Sequence, residues 1–144
     1  MDNYVQGMLA SRSLMTKVRV LVADDNQAMR EIIVSALAAD FDVIRAVNDG
    51  GSALAATAQL LPDVAVLDVS MPVLNGIEVA RRIRETRENT RVIFLSAHAD
   101  VDTLEAALET GSLAYVLKAR LDTDLVPAIK LALNGCRFVS PGLE

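Results

Sequence analysis

Asp24, Asp25, Asp68, Ser96 and Lys118 are residues whose types can do chemistry, and each stands directly after a short apolar run. The Asp24-Asp25 pair follows Val18–Ala23, Asp68 follows Val64–Leu67, Ser96 follows Arg91–Leu95, and Lys118 follows Leu113–Leu117. Brought to one cleft, they would set three carboxylates, a hydroxyl and an ammonium around one point, a mixture suited to phosphoryl transfer. Clustered carboxylates repel unless a cation joins them, and an oxygen-only set suits octahedral Mg²⁺. A carboxylate can attack phosphorus to form an acyl phosphate. The phosphoryl oxygens then need neutralising, which a cation, the Lys118 ammonium and the Ser96 hydroxyl can share. Taken singly, each residue has an ordinary reading. Asp25 or Asn26 caps a helix, Asp68 is a loop carboxylate, Ser96 a turn hydroxyl, Lys118 a strand-end lysine reaching solvent, and Tyr115 packing. Their joint placement at four strand ends argues for chemistry.

The elements that must position them are legible as an alternation. Strands are expected at 18–23, 42–47, 64–67, 91–95 and 113–117. Amphipathic helices are expected at 26–39, 52–61, 76–87, from 101 to a stop at Gly111, and 124–134. Pro127 is placed in the first turn of the last helix, where a missing N–H costs little. The outer face of the third helix carries Glu78–Arg82, Arg81–Glu85 and Arg84–Glu88 at i,i+4, a solvated surface pattern. Five strands alternating with five helices imply a parallel sheet covered on both faces, a three-layer α/β/α fold. Right-handed crossovers favour the flavodoxin-like order 2-1-3-4-5, in which function collects beyond the carboxyl ends of the strands.

Composition narrows the function classes. With 14 Lys and Arg against 19 Asp and Glu, the net charge of −5 disfavours direct nucleic-acid binding. A single cysteine, Cys136, excludes an internal disulfide framework and a cysteine-rich zinc site. A single histidine, His98, excludes a multi-histidine metal site. No signal-peptide layout or membrane-length apolar run is apparent, so a cytoplasmic location without membrane contact is expected. Residues 1–16 are read as a flexible N-terminal extension and 17–134 as the domain proper.

The stretches Val20-Leu21-Val22-Ala23-Asp24-Asp25, Asp68-Val69-Ser70-Met71-Pro72-Val73-Leu74-Asn75-Gly76, Ser96-Ala97-His98 and Tyr115-Val116-Leu117-Lys118 resemble the receiver domain of two-component response regulators. The resemblance spans residues 17–134 and keeps the motifs in order. It implies that Asp68 accepts a phosphoryl group from a sensor histidine kinase, and that Asp24, Asp25, Asp68 and the Ser70 backbone carbonyl hold Mg²⁺. It further implies that Lys118 binds the phosphoryl group, that Ser96 and Tyr115 form a switch pair with Tyr115 following Ser96 inward, and that Ser70 and His98 tune the lifetime of the acyl phosphate. On this reading the chain is no enzyme toward external substrates, catalysing only its own phosphorylation and dephosphorylation. Ala119 follows Lys118 where most receivers carry proline; a cis peptide before a non-proline costs ~3 kcal/mol, and the sequence leaves cis or trans open. The tail Asn134-Gly135-Cys136-Arg137-Phe138-Val139-Ser140-Pro141 resembles receivers of the NarL/FixJ (LuxR-type) group. Residues 135–144 are accordingly expected to begin a linker toward a helix-turn-helix output domain that lies outside this chain and through which DNA would be bound. A homodimer through the first or last helix is open.

Other readings compete. A natural single-domain regulator, with no output domain, is the alternative to a receiver joined to a helix-turn-helix domain, and a receiver-like interaction module that is never phosphorylated would not need the intact carboxylate set. An aspartate-nucleophile phosphatase generally needs a second Asp two residues after the nucleophile, where Ser70 stands. A flavin site wants a phosphate-cradling loop after the first strand, where Asp24 and Asp25 would repel phosphate.

Overall fold

The computed structural model describes residues 17–86 and 89–143. The expected N-terminal extension, residues 1–16, and Glu88 of the expected Arg84–Glu88 pair lie outside the described residues. The chain runs β1 (Arg19–Ala23), α1 (Gln27–Leu37), β2 (Asp42–Val47), α2 (Gly50–Leu60), β3 (Val64–Asp68), α3 (Gly76–Glu85), β4 (Arg91–Ser96), α4 (Val101–Glu109), β5 (Ala114–Leu117), a 3₁₀ turn (Lys118–Arg120), α5 (Leu121–Leu133) and β6 (Phe138–Val139). All strand pairs are parallel, in the order β2-β1-β3-β4-β5-β6. The doubly wound fold with order 2-1-3-4-5 is the one expected, extended by one short strand.

Period-2 alternation along the central strands divides the core in two. Val20, Val22, Val64, Val66, Ile93, Leu95 and Val116 face α1 and α5, where Ile33, Leu37, Leu125 and Ile129 complete the layer. Leu21, Ala23, Ala65, Leu67, Phe94 and Tyr115 face the other way, against Ala53 and Ala56 of α2, Val79 and Ile83 of α3, and Ala107 of α4. Both faces being covered explains why β1, β3 and β4 are near-continuous apolar runs. Side-chain caps begin α1 to α4: Asn26 accepts from the Met29 N–H, Asp49 from Ser52, Asn75 from Glu78 and Asp100 from Asp102.

Three boundaries differ from expectation for physical reasons. First, α2 begins at Gly50, two residues early. The Gly50 N–H donates to the Pro72 carbonyl at 3.3 Å, and a Cβ on Gly50 would lie 1.9 Å from the Leu74 carbonyl oxygen. A pair that reads as turn chemistry is thus a helix start pressed against another loop. Second, α5 begins at Leu121 directly out of the 3₁₀ turn, so Pro127 sits in the helix interior rather than in its first turn. Pro127 and Thr123, whose carbonyl loses its helical donor, lie toward the outer side of the helix, with Thr123 exposed and Pro127 exposed. Third, Phe138–Val139, within the stretch read as linker, joins the sheet beside Ala114 and Tyr115. On the surface of α3, Arg82 and Arg81 both pair with Glu78, at 3.4 and 3.3 Å, while Arg84 donates to the Glu109 carbonyl. No peptide bond among the described residues is cis.

The proline position carries a prediction. Pro127→Ala restores an N–H to the interior of α5 and should stabilise the protein by about 1–2 kcal/mol, part of the ~3 kcal/mol an interior proline costs a helix. Thermal unfolding of the two proteins checks it; an unchanged or lower midpoint would contradict it.

Candidate functional site

β1 ends beside Asp24, whose side chain is fully buried. Its Oδ1 accepts from the Asn26 N–H at 2.8 Å, and its carbonyl accepts from Arg30 Nη1 at 2.8 Å, so the start of helix α1 holds the residue at both its side chain and its backbone. Asp68 closes β3 and is 4% exposed; its Oδ1 accepts from the Ser70 N–H at 3.2 Å. Lys118 follows β5 and extends its Nζ to 2.8 Å from Asp24 Oδ2 and 3.0 Å from Asp68 Oδ2. Asp25 is exposed, and carboxylate oxygens of Asp24, Asp25 and Asp68 come within 4.8 Å of one another. The sheet thus gathers the three carboxylates and the ammonium that sequence spacing places at strand ends.

Charge dominates this cluster. Three carboxylates face one ammonium, leaving an excess equal to the charge of one divalent cation. Asp24 Oδ2 is buried and, although close to Lys118, makes no hydrogen bond of normal directionality. The Lys118 ammonium is the counter-charge of this buried oxygen, and the two charges left over in the cluster are what a further cation would offset. The donor set is all oxygen, as Mg²⁺ requires. The residues fit a divalent cation. Burial pushes the Asp68 carboxyl above its ordinary pKa; Lys118 pulls it back, the neighbouring Asp24 charge adds to the rise, and the Ser70 N–H lowers it. For Lys118, burial alone would depress the ammonium, but Asp24 and Asp68 outweigh it and hold the pKa above the usual value.

The remaining expected residues are near, with different engagements. Ser96 ends β4 and is 3% exposed, but its hydroxyl donates to the His98 carbonyl and accepts from the His98 N–H, both at 3.1 Å. It is held by its own loop, not by Asp68. His98 is exposed and contributes its backbone to that contact. Ser70 is exposed beside Asp68, touching it through the backbone N–H. Tyr115 is wholly buried, its ring 6.4 Å from that of Phe94, and its Oη has no hydrogen-bond partner of normal geometry among the described residues. Burial raises the Tyr115 hydroxyl pKa, with Ser96 opposing and the Asp100 charge adding to the rise. In this structure the ring stands inside the core, on the side of the sheet that faces α2–α4.

The loop after Asp68 shows what its motif is for. Met71 is buried in the α2–α4 layer. The Gly76 N–H donates to the Val69 carbonyl at 2.9 Å, and a Cβ on Gly76 would meet the Asp68 carbonyl oxygen at 2.2 Å. Only glycine lets α3 start this close to the carboxylate strand. Val73, 81% exposed, has φ +72°, an uncommon conformation for a β-branched residue. Sequence reading missed this strain and the positional need for Gly50 and Gly76, because neither shows until two loops are packed together. It also passed over Arg30, whose grip on the Asp24 carbonyl left no signal beyond a basic residue in the first helix.

Comparison with known proteins places this geometry. The family described as response regulator receiver domain matches residues 20–130. The chain is 37% identical over 129 residues to a probable transcriptional regulatory protein NarL of Mycobacterium tuberculosis, covering 88% of this chain and 60% of that protein. It is 31% identical over 120 residues to the transcriptional regulatory protein LiaR of Bacillus subtilis, covering 82% of this chain and 57% of the relative. The chain therefore spans less than two thirds of the length of these relatives. Among solved structures, the signal receiver domain of the putative response regulator NarL from M. tuberculosis superposes with a TM-score of 0.80 at 37% identity, covering 83% of this chain and 98% of that one. A LuxR-family two-component response regulator from Aurantimonas superposes with a TM-score of 0.83 at 28% identity, covering 89% and 93%.

A substitution at the loop's close approach tests its geometry. Gly76→Ala should destabilise the protein by about 1–3 kcal/mol through backbone overlap at Asp68. Denaturant unfolding measures the change, and a neutral result would contradict the close approach.

Proposed function

This chain belongs to the response regulator receiver domain family, and from that premise we propose that Asp68 is its phospho-acceptor, taking a phosphoryl group from a phosphohistidine on a sensor histidine kinase. An Asp68 carboxylate oxygen attacks phosphorus, the P–N bond breaks as the P–O bond forms, and the imidazole leaves with the bonding electron pair. The observation that carries the reading is the Lys118 ammonium set between Asp24 and Asp68, at 2.8 and 3.0 Å, in a cluster where three carboxylates converge within 4.8 Å.

Asp24, Asp25 and Asp68 would hold Mg²⁺, with the Ser70 carbonyl as a further ligand. When bound, Mg²⁺ supplies positive charge that offsets the carboxylates and the incoming phosphoryl oxygens. Once Asp68 is phosphorylated, Lys118 loses one of its two carboxylate partners and has a phosphoryl oxygen in reach instead. Ser96 would exchange its bonds to the His98 backbone for a bond to the phosphoryl group, removing a neighbour from the Tyr115 hydroxyl. With the ring already buried, the signal would pass through the 97–100 loop and the partner Oη finds, rather than through a large ring movement. Ser70 and His98, exposed on the rim, would set how readily water reaches the acyl phosphate. The chain turns over no external substrate on this reading.

The partners follow from the same premise. The kinase would supply the phosphoryl group; a second copy of the domain is a candidate partner; and a transcriptional output, as the names of the relatives suggest, would need a DNA-binding domain joined to this one. Among the described residues no helix is long and apolar enough to cross a membrane, and a cytoplasmic location suits a kinase substrate.

Labelling with a small phosphodonor tests the assignment. Wild-type protein should take up one phosphoryl group in the presence of Mg²⁺ and Asp68→Asn none. Equal uptake by the two would contradict it.

A further inference from the structure

The C-terminal stretch, which sequence reading assigns to a linker, reaches into the segment that carries Lys118. β6 lies parallel to β5, and the Ser140 N–H donates to the Tyr115 carbonyl at 3.0 Å. Ser140 is 2% exposed. Its hydroxyl accepts from the N–H of Leu117, the residue before Lys118, at 3.0 Å, and donates to Asp124 Oδ2 at 2.7 Å. Asp124 is itself buried. It accepts from Arg120 Nε at 2.8 Å and from the Thr123 hydroxyl at 3.0 Å. Burial would raise the Asp124 carboxyl, but the bonds from Ser140, Arg120 and Thr123 hold it below its usual pKa. One network therefore grips the backbone before Lys118, through Leu117, and the side chain two residues after it, through Arg120.

That grip has a purpose which the surrounding sequence makes specific. Ala119 lacks the ring that would fix its φ, so covalent structure does not stiffen the turn behind Lys118. Lys118 nonetheless holds its Nζ between two carboxylates with its side chain 15% exposed. A long, rotamer-rich chain is held this way only if its backbone is anchored. A buried carboxylate and a buried hydroxyl are costly to keep in place of apolar packing; joined to each other and to the Lys118 segment, they supply an anchor that apolar residues would not.

We infer that Ser140 and Asp124 are positioning residues for Lys118, so that the C-terminal stretch after α5 completes the phosphoryl-binding site. The inference rests on the phospho-acceptor reading above. Ser140 and Asp124 bond to the Lys118 segment and not to Asp24, Asp25 or Asp68, so phosphoryl recognition should suffer while cation binding does not.

The test uses the full chain with Ser140→Ala, Ser140→Thr and Asp124→Asn. Calorimetry measures affinity for Mg²⁺ alone and for beryllofluoride, a phosphoryl mimic, at saturating Mg²⁺; hydrogen exchange follows the Leu117 amide. Ser140→Ala and Asp124→Asn should weaken beryllofluoride about five- to tenfold, the loss expected when a charge-assisted contact is misplaced rather than deleted. Mg²⁺ affinity should not fall, and any change should be a tightening, because a displaced Lys118 competes less for Asp24 and Asp68; the Leu117 amide should exchange faster in Ser140→Ala. Ser140→Thr, which keeps the hydroxyl, should recover most of the beryllofluoride affinity. Unchanged beryllofluoride binding in both Ser140→Ala and Asp124→Asn would overturn the inference, as would a parallel loss of Mg²⁺ affinity. If Asp68→Asn bound beryllofluoride as wild type does, the phospho-acceptor reading itself would fail, an outcome distinct from either.

Discussion

The ammonium of Lys118, set between the buried carboxylates of Asp24 and Asp68, is the contact that organises the rest of the site. Two buried carboxylates that share one ammonium repel each other, and the positive charge between them offsets that repulsion. Lys118 supplies one positive charge against the three carboxylates, and the charge left over is what a divalent cation would match. Each part of the fold near the cleft serves that arrangement. Arg30 holds the Asp24 carbonyl, Ser70 the Asp68 carboxylate, and Gly76 allows α3 to begin against the Asp68 backbone.

The parallel sheet turns this local chemistry into a fixed geometry. Asp24, Asp68, Ser96 and Lys118 stand at or just beyond the carboxyl ends of four adjacent strands, whose interiors pack from both faces. Close packing on both faces fixes where those strand ends stand. Ser96 is one such end: its strand is buried, while its hydroxyl is taken up by the His98 backbone two residues on. Tyr115, buried with a hydroxyl that has no hydrogen-bond partner among the described residues, stands on the strand that carries β6 on its far side. β5 thus joins the strand end that carries Lys118 to the C-terminal stretch.

Much of this is legible in the sequence, for a specific reason. Strands buried on both faces write themselves as apolar runs, and a charged or hydroxyl residue ending such a run is placed at the sheet's edge by the run itself. Asp24, Asp68, Ser96 and Lys118 all follow this rule. The features that escape the sequence depend on contacts between segments far apart. Gly50 reads as turn chemistry until Leu74 is packed against it. Pro127 reads as a first-turn proline until the 3₁₀ turn after Lys118 feeds straight into α5. Phe138 and Val139 are too short a pair to announce a strand, and Ser140 looks like any linker serine until Asp124 and Leu117 close on it.

Lys118 partly neutralises a cluster of three carboxylates, and calorimetric titration of Mg²⁺ into the wild-type protein and Lys118→Met puts that relation to the test. Removing the competing ammonium should leave one bound Mg²⁺ and tighten it, because the same three carboxylates then face the cation alone. Weaker binding in Lys118→Met, or no Mg²⁺ binding by either protein, would contradict the neutralising role of Lys118.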